Sequence, residues 1–273
     1  MTTIGVFDSG FGGFTVLREL LPLVPGAHYL YLGDSARLPY GSKSQATIAR
    51  YAVESARFLV GRGAQHLVIA CNTASALAMS DIQRTVEVPV TGVIEPAVEA
   101  ALRSHPNAQV LVLATTATVH SGAYRLNCAA RGLHAIEKAC PLLVPLVEEG
   151  WLDHPVTREV LRIYLEEALA ICTPEAVLLG CTHYPLIAPA IESTLRDLNS
   201  RAEHIDSARA TALAVACSIQ RSNTSAEAPG TALPATPATF QCFATDSVEK
   251  FERLGAHFLG RSVGPVQLVD LGG

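Results

Sequence analysis

The sequence predicts an α/β protein of two similar lobes, each a mainly parallel sheet flanked by helices. Aliphatic strands alternate with helical patterns along the whole 273-residue chain. Two strands also end alike. HLVIACNTASALA (66–78) and VLLGCTHYPL (177–186) each run from an aliphatic stretch through a small residue into cysteine and then polar residues. The order of features recurs as well: IGVFDSGFGG (4–13) has a counterpart in VLVLATTAT (110–118), which sets Asp8 against Ala114 or Thr115. That offset of 106 or 107 is close to the 110 residues between Cys71 and Cys181. A chain of this length is near the size at which one core divides into two.

Taken in order, strands are expected near 4–8, 28–32, 66–70, 90–94, 109–114, 176–180, 239–244 and 266–270, with helical patterns between them. The clearest helix is Ser44 to Gly61, where Ile48, Ala52, Ser55 and Leu59 recur on one face and Gly61 can cap the end. Residues 222–239 (SNTSAEAPGTALPATPAT) break the alternation. They carry three prolines, one charge and no periodicity, and so are expected to form a flexible surface insertion. The strand that follows would return the chain to a lobe begun earlier.

Composition narrows the function. At 49% hydrophobic and 16% charged residues, core material is ample. The net charge of −5 comes with no basic cluster, so nucleic acid is not expected as a ligand. No apolar run approaches the ~18 residues of a membrane helix, and MTTIGVFDSG has neither the charged nor the apolar region of a leader. Seven cysteines without regular close spacing point to a reducing compartment, hence the cytoplasm. There is no C-x-x-C and no H-x-x-x-H, so no metal site is expected.

Strand tips are where open α/β sheets bind ligands. Cys181 and Cys71 occupy such tips, although a cysteine taken alone reads first as buried and inert. Asp8 also ends a strand, and could be a turn or capping residue. The DSGFGG turn after it matches neither a dinucleotide fingerprint nor a P-loop. Its glycines still bare backbone N–H groups at a helix N-terminus, which suits a small carboxylate. In GDSARLPYGSKS (33–44), Ser35 and the backbone of Tyr40 and Gly41 can supply hydrogen bonds to the same sheet edge. His183 stands two residues from Cys181, where an imidazole turns a thiol into a competent acid or base.

A thiol at each of two matching strand tips can carry acid–base chemistry, since with an ordinary pKa near ~8.5 it can serve either as acid or as base.

Together FDSGFGGFTVLREL, GDSARLPYGSKS, ACNTASA, GVIEPA, ATTATVHSGAY, CPLLVPLVEEG, GCTHYPL and FATDSVEKFERLGAHFLG resemble the glutamate racemase family over nearly the whole chain. CNT paired with CTH favours it over aspartate-specific relatives, in which an acidic residue typically follows the second CT. Phe14 and Ser35 depart from the family's more frequent Leu and Thr, and the 222–239 insertion is longer than usual.

The resemblance implies two flavodoxin-like lobes related by a pseudo-twofold axis, with the active site in the cleft between them. The first lobe would be 1–94 with 208–273, and the second 95–207. It implies cofactor-independent interconversion of L- and D-glutamate, supplying peptidoglycan synthesis, by a homodimer. Cys71 and Cys181 would be the two bases, with Asp8 assisting the first and His183 with Glu148 the second. Substrate contacts would come from Asp8, Ser9, Ser35, Tyr40, Gly41, Asn72, Thr73, Thr115, Thr118, Thr182 and His183. An aspartate or broad-specificity racemase, or a non-catalytic glutamate-binding protein of the same fold, remains the alternative.

Overall fold

A computed structural model of the chain describes residues 2–224 and 237–272. Ten strands lie among these residues: β1 Thr3–Asp8, β2 His28–Gly33, β3 His66–Ile69, β4 Val90–Gly92, β5 Gln109–Ala114, β6 His134–Ala139, β7 Ala176–Gly180, β8 Glu203–Asp206, β9 Thr239–Ala244 and β10 Val266–Leu268. The helices are α1 Phe14–Leu23, α2 Gln45–Gly61, α3 Asn72–Leu77, α4 Met79–Thr85, α5 Ile94–Ser104, α6 Thr116–Ser121, α7 Ala123–Ala129, α8 Leu143–Glu148, α9 Pro155–Leu169, α10 Ala188–Asp197, α11 Ser207–Thr224 and α12 Val248–Leu259.

The strands form two sheets, one ordered β10-β9-β2-β1-β3-β4 and the other β6-β5-β7-β8, with every pairing parallel. The order β2-β1-β3-β4 in the first sheet is repeated as β6-β5-β7-β8 in the second. Register sharpens the correspondence. Phe7 pairs with Ile69 in one sheet and Ala114 with Gly180 in the other, so Ser9 stands beside Cys71 as Thr115 stands beside Cys181. In both sheets the chain crosses to opposite sides of its first strand, which creates the crevice where α/β sheets bind ligands.

The central strands are aliphatic because helices cover both of their faces. From Ile4 to Asp8, from Val110 to Ala114 and from Ala176 to Gly180 every residue is buried. Two strands escape the sequence reading, β6 (HAIEKA) and β8 (EHID). They are the edges of the second sheet, half-buried, and they carry charged residues where an apolar run was sought. Helix α2 begins at Ser44, whose hydroxyl accepts the Thr47 N–H at 3.4 Å, and it buries Ile48, Ala52, Ser55 and Leu59. Its end differs from expectation: Gly61 is still helical, and the positive φ that releases the chain belongs to Gly63 at +95°. Of the 222–239 insertion, 222–224 end α11 and Thr239 starts β9, while 225–236 lie outside the described residues.

Helix α11 packs on both α1 and α5, which lie against different sheets. An aromatic cluster packs against the first sheet at β2. Phe14 stacks on Tyr31 with centroids 3.8 Å apart, and Phe251 of α12 meets both edge-on.

Candidate active site

The tips of β1, β3, β5 and β7 converge on one cavity of about 970 Å³. Both Cys71 and Cys181 line it, each only 5% exposed. So do Ser9, Tyr40, Gly41, Asn72, Thr73, Thr115, Thr182, His183 and Glu148.

On the first side, Cys71 lies two residues beyond the end of β3 and caps α3, its sulfur accepting the Ala74 N–H at 3.4 Å. The thiol donates to the Ser9 hydroxyl at 3.5 Å. Asp8 is buried beneath, one carboxylate oxygen accepting the Gly10 N–H at 2.9 Å and the other without a partner. Burial raises the Asp8 pKa despite the pull of His183 and of backbone N–H groups. Burial, then the neighbouring Asp8 charge, pushes the Cys71 thiol up to about 12. Cys71 therefore rests as a protonated thiol.

The second side is built differently. The Cys181 sulfur lies 3.8 Å from His183 Nδ1, and His183 Nε2 lies 3.2 Å from Glu148 Oε1 at the end of α8. Burial alone would lower the His183 pKa. Its contacts with Cys181 and Glu148 outweigh burial and raise it to about 10. Glu148 shows the reciprocal effect: burial opposes its charge, but the His183 contact wins and lowers its pKa. Lys250 of α12 completes the chain, with Nζ 3.9 Å from Glu148 Oε2.

Gly12 explains how the halves approach so closely. A Cβ there would lie 2.2 Å from Thr182 Oγ1 and 2.6 Å from His183 Nδ1. The DSGFGG turn thus lies directly against the second thiol's histidine, and Thr15 donates to the Thr182 carbonyl at 3.1 Å. Hydroxyls form a second junction, with Thr73 and Thr115 3.0 Å apart, Thr115 and Thr118 3.0 Å apart, and Thr73 and Thr118 3.3 Å apart.

Three anticipated residues do not line the cavity. Asp8 and Thr118 lie just behind it, fully buried. Ser35 is farther removed, because its hydroxyl donates to the Asp246 carbonyl at 2.7 Å and so ties the 33–44 loop to the turn after β9. Tyr40 reaches the cavity because its own hydroxyl is held by Asp34 at 2.6 Å. Lys43 and Lys250 were not singled out from sequence, yet both line the cavity. Lys250 sits within FATDSVEKFERLGAHFLG, so its stretch was visible even though its role was not. Lys43 is turned to the carbonyls of Leu38 and Pro39, at 3.2 and 3.1 Å.

Comparison with known proteins agrees with this geometry. The family described as Asp/Glu/Hydantoin racemase matches residues 5–215. A glutamate racemase of Koribacter versatilis is 50% identical over 99% of this chain and 98% of its own length. Among solved structures, glutamate racemase from Thermus thermophilus in complex with β-chloro-D-alanine superposes with a TM-score of 0.85 at 41% identity, covering 99% of this chain and 97% of that one. The Francisella tularensis glutamate racemase in complex with D-glutamate gives 0.87 at 32% identity, covering 99% and 98%. The chain belongs to the Asp/Glu/Hydantoin racemase family.

Proposed function

We propose that this protein is a glutamate racemase that moves protons at the α-carbon with Cys71 and Cys181. The observation that carries the reading is that two thiols from corresponding tips of two parallel sheets line one cavity, in contrasting acid–base surroundings. Glutamate as the substrate is supported by the likeness to glutamate racemases over nearly the full chain.

The two sides suit the two halves of the reaction. The Cys181 sulfur faces His183, which Glu148 orients from behind. It accepts the α-proton from one face, while the protonated Cys71 delivers its own to the other. In the reverse direction Cys71 is the base. The ammonium group of the bound amino acid then supplies the positive charge that this side lacks. Substrate carboxylates are met by the hydroxyls of Ser9, Thr73, Thr115 and Thr182 and by the carboxamide of Asn72. Asp8 supports Cys71 from below, Thr118 holds Thr73 and Thr115, and Tyr40 and Gly41 form the opposite wall.

The proposed lobes are 1–94 with 208–273, and 95–207. They are supported by the sheets, whose strands come from 3–92 with 239–268 and from 109–206. The proposed role is supply of D-glutamate for peptidoglycan in the cytoplasm, by a homodimer, as the family likeness suggests. Among the described residues no helix is long and apolar enough to cross a membrane.

Circular dichroism of L- and D-glutamate incubated with chelated, dialysed protein tests the reading. Racemisation of both enantiomers is expected without added cofactor, with early product carrying solvent deuterium in heavy water and unreacted substrate keeping its hydrogen. Faster turnover of aspartate would reassign the substrate. Deuterium in both enantiomers from the start would replace two bases with one.

A further inference from the structure

Tyr124, on α7, is wholly buried and does not line the cavity, yet it touches both halves of the site. Its hydroxyl donates to Asn72 Oδ1 at 2.6 Å, and Asn72 directly follows Cys71. Its ring lies on Gly180, directly before Cys181, where an added Cβ would stand 3.1 Å from the ring's Cε2. With the Leu113 carbonyl oxygen at 2.9 Å and the Ala114 Cβ at 3.1 Å from the same point, that contact leaves room at the end of β7 only for glycine. Burial raises the hydroxyl's pKa, so it stays a donor.

The other end of the Asn72 carboxamide is what matters for substrate. Nδ2 is buried and has no hydrogen-bond partner in the protein, while Asn72 lines the cavity. A buried amide N–H left unmatched is costly, so it calls for an acceptor on whatever fills the cavity. With Oδ1 committed to Tyr124, only the donor end is free.

We infer that Tyr124 is a positioning residue: by holding Asn72 Oδ1 it fixes the carboxamide with its N–H groups toward the cavity, as a donor for a substrate carboxylate. Released from Tyr124, the amide can turn over and present its oxygen to an anion, which repels it. The inference rests on the reading of the cavity as a glutamate site. It adds a residue that touches no substrate and spans both thiol-bearing tips.

Tyr124→Phe tests it, since the ring and its packing on Gly180 remain. A carboxylate donor that acts alike in ground and transition states governs KM rather than kcat. We expect KM for both enantiomers to rise roughly tenfold, with kcat changing less than about threefold. In an Asn72→Ala background, Tyr124→Phe should change KM by less than about twofold, because the group it orients is gone. An unchanged KM, a fall confined to kcat, or effects of the two substitutions that multiply would each overturn the inference. Should Tyr124→Phe fail to fold, NMR of the ¹⁵N-labelled wild type decides. Its Asn72 side-chain amide signals must shift on adding D-glutamate, and unmoved signals overturn the inference. If the wild type neither racemises nor binds glutamate, the reading of the cavity fails instead. Normal wild-type turnover with an unaffected variant refutes the role of Tyr124 alone.

Discussion

The two strand tips share a backbone plan and differ in chemistry. Asp8 ends β1 where Ala114 ends β5, and Asn72-Thr73 follow the first cysteine where Thr182-His183 follow the second. The first thiol therefore has a buried carboxyl beneath it and only neutral groups bonded to it, and its pKa rises to about 12. The second has an imidazole backed by a carboxylate, and there the histidine is held to about 10. One repeated scaffold can thus present the same thiol in two different surroundings. Changing the residue that ends the neighbouring strand (Asp8 against Ala114) and the residue two steps after the cysteine (Thr73 against His183) alters each thiol's partners while the shared backbone plan stays.

The largest test of this contrast removes the thiols themselves. Cys71→Ser and Cys181→Ser should each lower racemisation by ~10²–10⁴ while still folding, since a hydroxyl is nearly isosteric but a far weaker acid and base. A folded variant that keeps a tenth of wild-type turnover would make that cysteine structural.

Next comes the seam between the halves. Gly12→Ala must displace Thr182 or His183, and a misplacement of this size should cost roughly 10² in kcat. Turnover within twofold of wild type would show that the histidine's place is not set by this contact.

A third test reads charge through stability. The His183 pKa is raised on folding, so its contribution is fully present below its unfolded pKa of ~6.5 and is lost as pH rises through about 10. The urea midpoint of the wild type should exceed that of His183→Asn most at pH ~6, and the gap should close toward pH 10. A gap that widens with pH would sink the imidazolium assignment. Glu148 acts with the opposite sign: its pKa is lowered on folding, so its contribution is lost only as the pH falls through the acidic range below 4.5.

The smallest expected effect is a control for the second. A Cβ at Gly61 meets nothing within 4 Å, and the residue is helical. Gly61→Ala should leave activity unchanged and stabilise the fold by ~0.5–1 kcal/mol, read as a small rise in the unfolding midpoint. A loss of activity would mean that α2 transmits strain to the 38–43 turn.

The buried strands were legible because their residues are apolar without interruption, and α2 because Ser44 caps it and its apolar face repeats. The edge strands β6 and β8 were not, since half-exposed edges hold charged residues such as Glu137 and Lys138. Cys71, Cys181 and their neighbours could be found by sequence because a strand tip and its following turn are contiguous. Lys250 and Tyr124 reach the site from α12 and α7, and nothing local announces what a distant helix will meet.

From sequence alone came the fold class, the doubled pattern and the two candidate thiols, all consequences of local periodicity and short-range order. Tertiary structure decided which of the anticipated groups enter the cavity. It drew Ser35 away to Asp246, set Asp8 and Thr118 behind the wall, and brought Glu148 to His183 from 35 residues away. Those outcomes depend on how the two halves pack across Gly12, where the missing side chain lets the Thr182 hydroxyl and the His183 imidazole approach. Contacts of that kind are fixed by the closeness of whole layers, which the spacing of residues along the chain does not encode.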